Sequence, residues 1–253
     1  MNKLIYDIGM HTGQDTLFYL KSGYNVLAIE ADPILVEKAN LKFKNFIDSG
    51  QLTILNIGIA ESEGVLPFYR NLRLTEWSSF DKTMGSRSGQ YEVIDIPCTS
   101  TKKLFEQYGI PFYLKVDIEG FDYLCINDLP SDGRGPQYVS CEAQNISLLE
   151  TLKSKGYNKF KMINQGDNHR PINLWKEKLP FFTRYQIIKN GIIIRLQDII
   201  PIRKYKYSSS GPFGENTKGE WMSFEQTKNL YESFYNNGNP INNYSWFDFH
   251  AKY

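Results

Sequence analysis

The chain has 253 residues, of which 41% are hydrophobic and 23% charged, and its formal net charge is +1; these values are ordinary for a globular protein with one sizeable core. Its three cysteines are widely spaced, which argues against a disulfide framework and a zinc site and favours the cytoplasm. No leader peptide precedes the first strand and no apolar run approaches the roughly 18 residues that span a bilayer, so we expect a protein that is neither secreted nor membrane-spanning.

Apolar runs alternate with amphipathic segments along the chain, a pattern typical of an α/β fold with a mostly parallel sheet. We expect strands near residues 2–8, 25–30, 51–57, 112–117 and 137–142, and helices near 13–22, 33–47, 100–108 and 145–155. Segment 63–97 is predicted to form a small β excursion around a polar loop. Residues 160–163 and 246–253 would complete a seven-stranded sheet, and the alternation of Phe247, Phe249 and Ala251 predicts that the last strand is half-buried.

The first predicted strand leads into a turn with the sequence Asp7-Ile8-Gly9-Met10-His11-Thr12-Gly13. We expect Gly9 and Gly13 to let the backbone turn tightly and approach a ligand where a Cβ atom would collide, and Thr12 to cap the following helix. The second strand ends in Glu30, whose carboxylate oxygens can accept hydrogen bonds from both ribose hydroxyls. This order of strand, glycine turn, helix and acidic strand end predicts a nucleoside-binding half-site.

Two features of the turn favour S-adenosylmethionine over a dinucleotide. The third glycine of the dinucleotide fingerprint is missing, and Asp7 would attract the ammonium and sulfonium groups but repel a pyrophosphate. A turn at residues 56–59 would add further contacts to the cofactor. The predicted cofactor-binding residues are Asp7, Gly9, His11, Thr12, Gly13, Glu30, Ala31, Asp32, Gly58, Ile59 and Asp117.

The glycine turn resembles motif I of the class I methyltransferases, and later segments make the resemblance more specific. Residues 113–122, Tyr-Leu-Lys-Val-Asp-Ile-Glu-Gly-Phe-Asp, and a strand ending in Glu142 are similar to the Lys-x-Asp-x-Glu-Gly and strand-end Glu signatures of the FkbM-type methyltransferases. Asn71, Ser78 and Ser79 fit the same family. The resemblance covers residues 3–160. It implies a Rossmann-like class I fold with helices on both sheet faces, and methyl transfer from S-adenosylmethionine, most often to a hydroxyl of a sugar or polyketide.

Several carboxylates are candidates for the chemistry. Asp117 and Glu119 are two residues apart, so we expect both side chains on one side of a continuing strand, where either is a candidate general base that Glu142 could join. A different mechanism, which we do not favour, has these three and Asp122 ligating Mg²⁺ or Ca²⁺; Asp122 fits the first turn of a helix better. His169 could serve as a base near neutral pH, although it also fits a plain surface histidine.

The C-terminal part of the chain has a charge signature of its own. Residues 153–206 contain 13 Lys or Arg and three acidic residues, an excess that suggests an anionic partner or else a solvated basic face. We expect residues 1–163 and 240–253 to form the methyltransferase core, and 164–239 to form a basic, aromatic substrate-binding insertion within the same domain. A saccharide or nucleotide-sugar acceptor fits the aromatic residues in it, whereas nucleic acid is disfavoured because no nucleic-acid module is present.

The first interpretation is therefore a cytoplasmic S-adenosylmethionine-dependent O-methyltransferase that acts on a saccharide or sugar-containing precursor. A nicotinamide-dependent oxidoreductase is the second enzymatic interpretation. A cofactor-binding interaction module without turnover remains a third hypothesis, from a different class. The sequence does not determine the oligomeric state.

Overall fold

The computed structural model of the chain describes residues 3–87, 89–165, 211–236, 239–240 and 247–253. The chain forms two compact units, residues 1–137 and 138–253. Seven strands form one sheet, which confirms the predicted α/β class with a mostly parallel seven-stranded sheet. Across this sheet the strands follow one another in the order β3 (Leu52–Leu55), β2 (Asn25–Ile29), β1 (Leu4–Ile8), β7 (Tyr113–Val116), β8 (Tyr138–Glu142), β12 (Phe247–Lys252) and β9 (Lys159–Asn164). No helix within the described ranges is long and apolar enough to cross a membrane.

The first unit contains the glycine turn and the strands on either side of it. Its strands are β1 (Leu4–Ile8), β2 (Asn25–Ile29), β3 (Leu52–Leu55), β4 (Gly58–Ile59), β5 (Gly64–Asn71), β6 (Tyr91–Thr99) and β7 (Tyr113–Val116). Its helices are α1 (Gln14–Lys21), α2 (Pro33–Lys42), α3 (Lys44–Asp48), α4 (Lys82–Gly85), α5 (Thr101–Tyr108) and α6 (Asp122–Asn127), with a 3-10 turn at Thr75–Trp77.

Four parallel strands of this unit carry the site. β1 pairs with β2 on one side and β7 on the other, and β2 pairs with β3. The inner strands β1 and β7 are nearly continuous apolar runs because they are buried on both faces, as in other parallel sheets; Ile5, Tyr6, Ile8 and Leu114 are fully buried. The strand order reverses between β1 and β7, and in open α/β sheets ligands bind beyond the carboxyl ends of the strands at such a point.

The predicted β excursion is confirmed as a separate three-stranded sheet. β5 and β6 run antiparallel with Gly64 opposite Cys98 and Asn71 opposite Tyr91, and β4 pairs in parallel with the end of β6. The polar loop between β5 and β6 contains the 3-10 turn and α4. This arrangement places the loop next to the turns that follow β1 and β7, as described below.

The second unit contains β8 (Tyr138–Glu142), α7 (Ile146–Ser154), β9 (Lys159–Asn164), α8 (Phe224–Glu232), β10 (Tyr235–Asn236), β11 (Asn239–Pro240) and β12 (Phe247–Lys252). β12 lies antiparallel between β8 and β9. The expectation that this last strand is half-buried is wrong. Asp248 and His250 are buried, as are Phe247, Phe249 and Ala251, because an interior strand of a covered sheet has no solvent-facing side.

The described part of the predicted insertion packs within this second unit. Met222 pairs through its backbone with Phe160 of β9, and the ammonium of Lys153 lies 3.9 Å from the ring centroid of Phe224 at the start of α8. Trp221 stacks on Tyr138 with ring centroids 6.3 Å apart. The division into residues 1–163 with 240–253 and an insertion at 164–239 stays a prediction, as does its role in substrate binding.

Candidate functional site

The turn after β1 is held against the end of β2 by backbone hydrogen bonds. The amides of Gly9 and Met10 both donate to the carbonyl of Ile29 at 3.0 Å. Gly9 and Gly13 have φ values of 81° and 73°, in the left-handed region that glycine adopts without steric cost. A Cβ on Gly9 would lie 1.8 Å from the carbonyl oxygen of Asp117. The close approach predicted for this glycine is therefore to the chain that follows β7.

Glu30 lies directly after β2 and binds the glycine turn through its carboxylate. Its Oε2 accepts from the His11 amide at 2.7 Å and its Oε1 from the Asp32 amide at 2.8 Å. The residue is only 8% exposed, and burial raises its pKa to about 7 although the two amides oppose this shift. Each carboxylate oxygen has a second lone pair. Glu30 thus shapes the turn and keeps the capacity to accept two hydroxyl donors.

His11 has a left-handed backbone, with a φ of 51°, which is uncommon for a residue other than glycine. Its Nε2 lies 2.8 Å from Thr75 Oγ1 in the polar loop. Burial lowers the pKa of the imidazole. His11 therefore connects three parts of the site: the glycine turn, Glu30 and the loop between β5 and β6.

Lys115 is a buried cation among carboxylates at the ends of β1 and β7. Its Nζ donates to the Gly9 carbonyl at 2.8 Å and lies 3.2 Å from Asp7 Oδ1, 3.6 Å from Asp117 Oδ2 and 4.0 Å from Asp15 Oδ2. Burial acts to lower the pKa of Lys115, but Asp7, Asp117 and Asp15 outweigh it and raise the pKa. Asp7 is fully buried, and the cation adjacent to it is this lysine.

Asp117 and Glu119 follow β7, and the expectation that an extended strand carries both side chains to one side is wrong. β7 ends at Val116, and Glu119 has a φ of 44°, so the chain has already turned. The side chains of Asp117 and Glu119 are 33% and 29% exposed. Both carboxylates therefore remain accessible, each beside a cation: Asp117 beside Lys115 and Glu119 beside Arg87, whose guanidinium nitrogen lies 3.8 Å from Glu119 Oε2.

The polar loop between β5 and β6 contacts the turn after β7. Ser79 Oγ donates to the Glu119 carbonyl at 3.2 Å, and the rings of Phe80 and Phe121 meet edge to face with centroids 6.3 Å apart. Asn71 is fully buried and shapes the loop, because its side chain donates to the Gly85 carbonyl and accepts from the amides of two following residues. Ser79 and Asn71, two of the residues that carry the resemblance, therefore hold the loop in place.

The structure corrects the role predicted for Thr12 and gives Asp32 and Ala31 contacts that the sequence did not predict. Thr12 is exposed and does not cap α1; the N-cap is Gly13, which has no side chain to donate or accept. Asp32 is the N-cap of α2 and also pairs with Arg70 Nε at 2.7 Å. Ala31 accepts at its carbonyl from Asn56 Nδ2. The prediction that Thr12 caps α1 was wrong because Gly13, which has a left-handed backbone, occupies the N-cap position.

The remaining predicted residues lie in different places. Gly58 and Ile59 are buried in β4, and a Cβ on Gly58 would lie 2.2 Å from the Phe80 ring. Asp122 begins α6 and accepts from the Ile118 amide, so its helix-start role is confirmed. Glu142 belongs to the second unit, where its side chain accepts from Gln144. His169 lies outside the described residues.

Lys115 and Thr75 are parts of the site that were not predicted from the sequence. A lysine within the apolar run of β7 was the available signal for the first, because a charge buried in a parallel strand needs partners. Thr75 carried no signal, since its contact with His11 depends on how the loop folds. Within the ranges that the structure describes, no group of three or more His, Cys, Asp or Glu side chains has the arrangement of a metal site.

Comparison with known proteins identifies the family. The model of the methyltransferase FkbM domain matches residues 7–168, more than half of the chain. A solved methyltransferase FkbM from Methylobacillus flagellatus KT is 17% identical, with a TM-score of 0.40 over 56% of this chain and 33% of that chain. A precorrin-6y C5,15-methyltransferase from Geobacter metallireducens GS-15 is 9% identical, with a TM-score of 0.39 over 100% of this chain and 82% of that chain. No curated protein matches significantly. The chain belongs to the FkbM methyltransferase family.

Proposed function

We propose that the protein is an S-adenosylmethionine-dependent O-methyltransferase that acts on a hydroxyl of a sugar, glycan or glycosylated precursor. The observation that carries this proposal is the position of Glu30. Its buried carboxylate follows β2, contacts the glycine turn through the His11 amide, and retains a lone pair on each oxygen. Such an acid is suited to bind the two free hydroxyls of an adenosine ribose.

The surrounding residues fit an adenosine cofactor. Gly13 caps α1 without a side-chain hydrogen bond, so amides at the first turn of α1 face the turn without that competition and favour an anionic group such as the cofactor's carboxylate. Asp7, Asp15 and Asp117 outnumber the one lysine among them. This excess of negative charge favours a ligand that also carries cationic groups.

S-adenosylmethionine, when bound, supplies a methyl group on a positively charged sulfur. The protein would need to align this methyl group with the acceptor oxygen and to take the hydroxyl proton. We assign that proton to the carboxylate of Asp117 or Glu119, because both are accessible at the carboxyl end of β7.

Calorimetric titration with S-adenosylhomocysteine, with NAD as the comparison ligand, tests the cofactor. We expect the protein to bind S-adenosylhomocysteine and not NAD. Glu30→Gln keeps the size of the side chain but loses a charged acceptor, so we expect the dissociation constant to rise about 10- to 100-fold. Glu37→Gln makes the same change at an exposed position of α2 and should leave the affinity unchanged.

Each other result has a defined meaning. Binding of NAD alone would contradict the proposal and support an oxidoreductase. Binding of neither ligand would favour a non-catalytic interaction module or a site that is complete only with the acceptor. Equal loss of affinity in Glu30→Gln and Glu37→Gln would remove the assigned role of Glu30. We also propose that the protein works in the cytoplasm, which its three widely spaced, buried cysteines Cys98, Cys125 and Cys141 support.

A further inference from the structure

Lys115 is buried in the first unit beside the candidate cofactor site, and the proposed chemistry does not use it. It is 1% exposed. An ammonium in such a place is stable only if hydrogen bonds and opposite charges replace its water. The Gly9 carbonyl and the carboxylates of Asp7, Asp15 and Asp117 surround it at 2.8 to 4.0 Å.

Two partners of Lys115 belong to separate turns, because Gly9 follows β1 and Asp117 follows β7. The other two lie within elements, Asp7 in β1 and Asp15 in α1. The same two turns touch directly, since the Asp117 carbonyl occupies the space where a Cβ on Gly9 would lie. The Asp117 amide also donates to the Ile8 carbonyl at 3.0 Å. A single ammonium thus fixes the direction of the Gly9 carbonyl and the place of the Asp117 carboxylate.

We propose that Lys115 is a positioning residue for cofactor binding, which ties the Gly9 carbonyl of the glycine turn to the Asp117 carboxylate. This inference rests on the proposed function. Asp7 and Asp15 hold the ammonium from its buried side, while Asp117 is the partner that reaches the accessible side. Without the ammonium, the Gly9 carbonyl loses its donor and the Asp117 carboxylate loses its neighbouring cation.

The charge of Lys115 also acts on Glu30. Burial is the largest cause of the raised pKa of Glu30, and the amides of Asp32 and His11 lower this pKa; among charged groups, Asp32 raises it and Lys115 lowers it. Removal of the ammonium should therefore move the titration of Glu30 to higher pH. A residue that served only to hold the fold together would not produce this shift in a variant that folds normally.

The test uses a charge-balanced pair of substitutions. Lys115→Met alone leaves buried carboxylates without their cation and is expected to lower the melting temperature sharply. Lys115→Met combined with Asp7→Asn removes the buried pair as a neutral unit, and the asparagine oxygen can still accept from Thr16. Asp7→Asn alone is the control, because Lys115 in this variant still contacts the Gly9 carbonyl and the Asp117 carboxylate.

In the double variant we expect a folded protein, by circular dichroism and melting temperature, whose dissociation constant for S-adenosylhomocysteine at neutral pH is at least about tenfold higher than that of the Asp7→Asn control. We also expect the pH midpoint of its affinity to lie above that of the same control, because the two proteins differ only at Lys115. The change from the wild type to the Asp7→Asn control belongs to Asp7 and is not assigned to Lys115. The tenfold ratio corresponds to about 1.4 kcal/mol.

Affinity and midpoint both unchanged in the folded double variant would overturn the role of Lys115. Equal loss of affinity in Asp7→Asn and the double variant would also overturn it and assign the effect to Asp7. If Lys115→Met alone folds and binds S-adenosylhomocysteine like the wild type, the inference fails without the double variant. Binding of NAD and not S-adenosylhomocysteine by the wild type would contradict the proposed function and this inference together.

Discussion

Glu30 combines a structural and a binding role in one buried carboxyl group. Two backbone amides, those of His11 and Asp32, donate to its oxygens, and burial nevertheless raises its pKa to about 7. The ordinary value is 4.5, so between these two pH values the folded chain binds a proton that the unfolded chain has released. Ionisation of Glu30 therefore opposes folding as the pH rises, by about 3 kcal/mol once the pH exceeds 7.

This shift predicts a pH dependence of cofactor affinity. The ionised carboxylate accepts both ribose hydroxyls, so we expect the affinity for S-adenosylhomocysteine to rise about tenfold between pH 6 and pH 8, with proton release on binding. Titrations in buffers of different ionisation enthalpy measure the protons released. Glu30→Gln should give a flat profile over the same range. A flat wild-type profile, or uptake of protons, would contradict the assignment.

Glu30 also shows how much of the candidate site could be predicted from the sequence. The order of strand, glycine turn and strand-end acid was enough to predict that Glu30 belongs to the site. Its hydrogen bonds to two backbone amides could not be predicted, because they depend on the left-handed conformation of His11. Thr12 was predicted wrongly as a cap for a related reason: the conformation of Gly13 moves the start of α1 by one residue.

Among the strands, those that are buried on both faces were the easiest to predict. β1 and β2 have nearly continuous apolar runs, and the structure confirms them within two residues at each end. The burial of β12 was predicted wrongly. Polar residues alternate with Phe247, Phe249 and Ala251, a pattern typical of a half-buried strand, but β12 lies inside the sheet. The end of β7 was also predicted wrongly, because Asp117 and Glu119 continue the alternating pattern of a strand beyond Val116, where the strand stops.

The contact between the turns after β1 and β7 predicts that adding a single methyl group at Gly9 strongly lowers the free energy of unfolding. Gly9→Ala places a Cβ 1.8 Å from a backbone oxygen and requires a left-handed alanine. We expect the free energy of unfolding to fall by about 3 kcal/mol or more. Gly50→Ala is the matched control, because Gly50 has a φ of 74° and no atom within 4 Å of an added Cβ. Backbone strain alone should lower the free energy of unfolding of Gly50→Ala by about 1 kcal/mol. Denaturant unfolding measures the free energy of unfolding of both variants, and equal decreases would contradict the packing argument.

The distribution of charge along the chain is uneven, although the chain as a whole is almost neutral. Residues 153–206 carry an excess of ten positive charges, so the remaining residues carry an excess of nine negative charges. The fold of the first unit explains part of the negative excess, because Asp7, Asp15, Asp117 and Glu30 gather around the carboxyl ends of its strands. Most of the basic segment lies outside the described residues, and its role in binding an acceptor stays a prediction from the sequence.

This asymmetry predicts which acceptors the enzyme should prefer. Methyl transfer from radiolabelled S-adenosylmethionine would be measured with nucleotide sugars, anionic glycans and neutral glycans. We expect the anionic acceptors to be methylated faster, and this preference to weaken as salt rises from about 0.05 to 0.5 M, because screening shortens the reach of the basic segment. Salt-independent transfer to neutral glycans at an equal rate would show that the basic segment does not select the acceptor.

The left-handed backbones of His11 and Glu119 have a consequence for protein engineering. Both residues occupy conformations that glycine adopts more easily, and both direct side chains toward the loop that carries Thr75 and Arg87. A library screened for heat resistance alone would favour glycine at these two positions. The selected variants would be more heat-resistant but would lack the two side chains, so a screen for heat resistance should be paired with a screen for ligand binding.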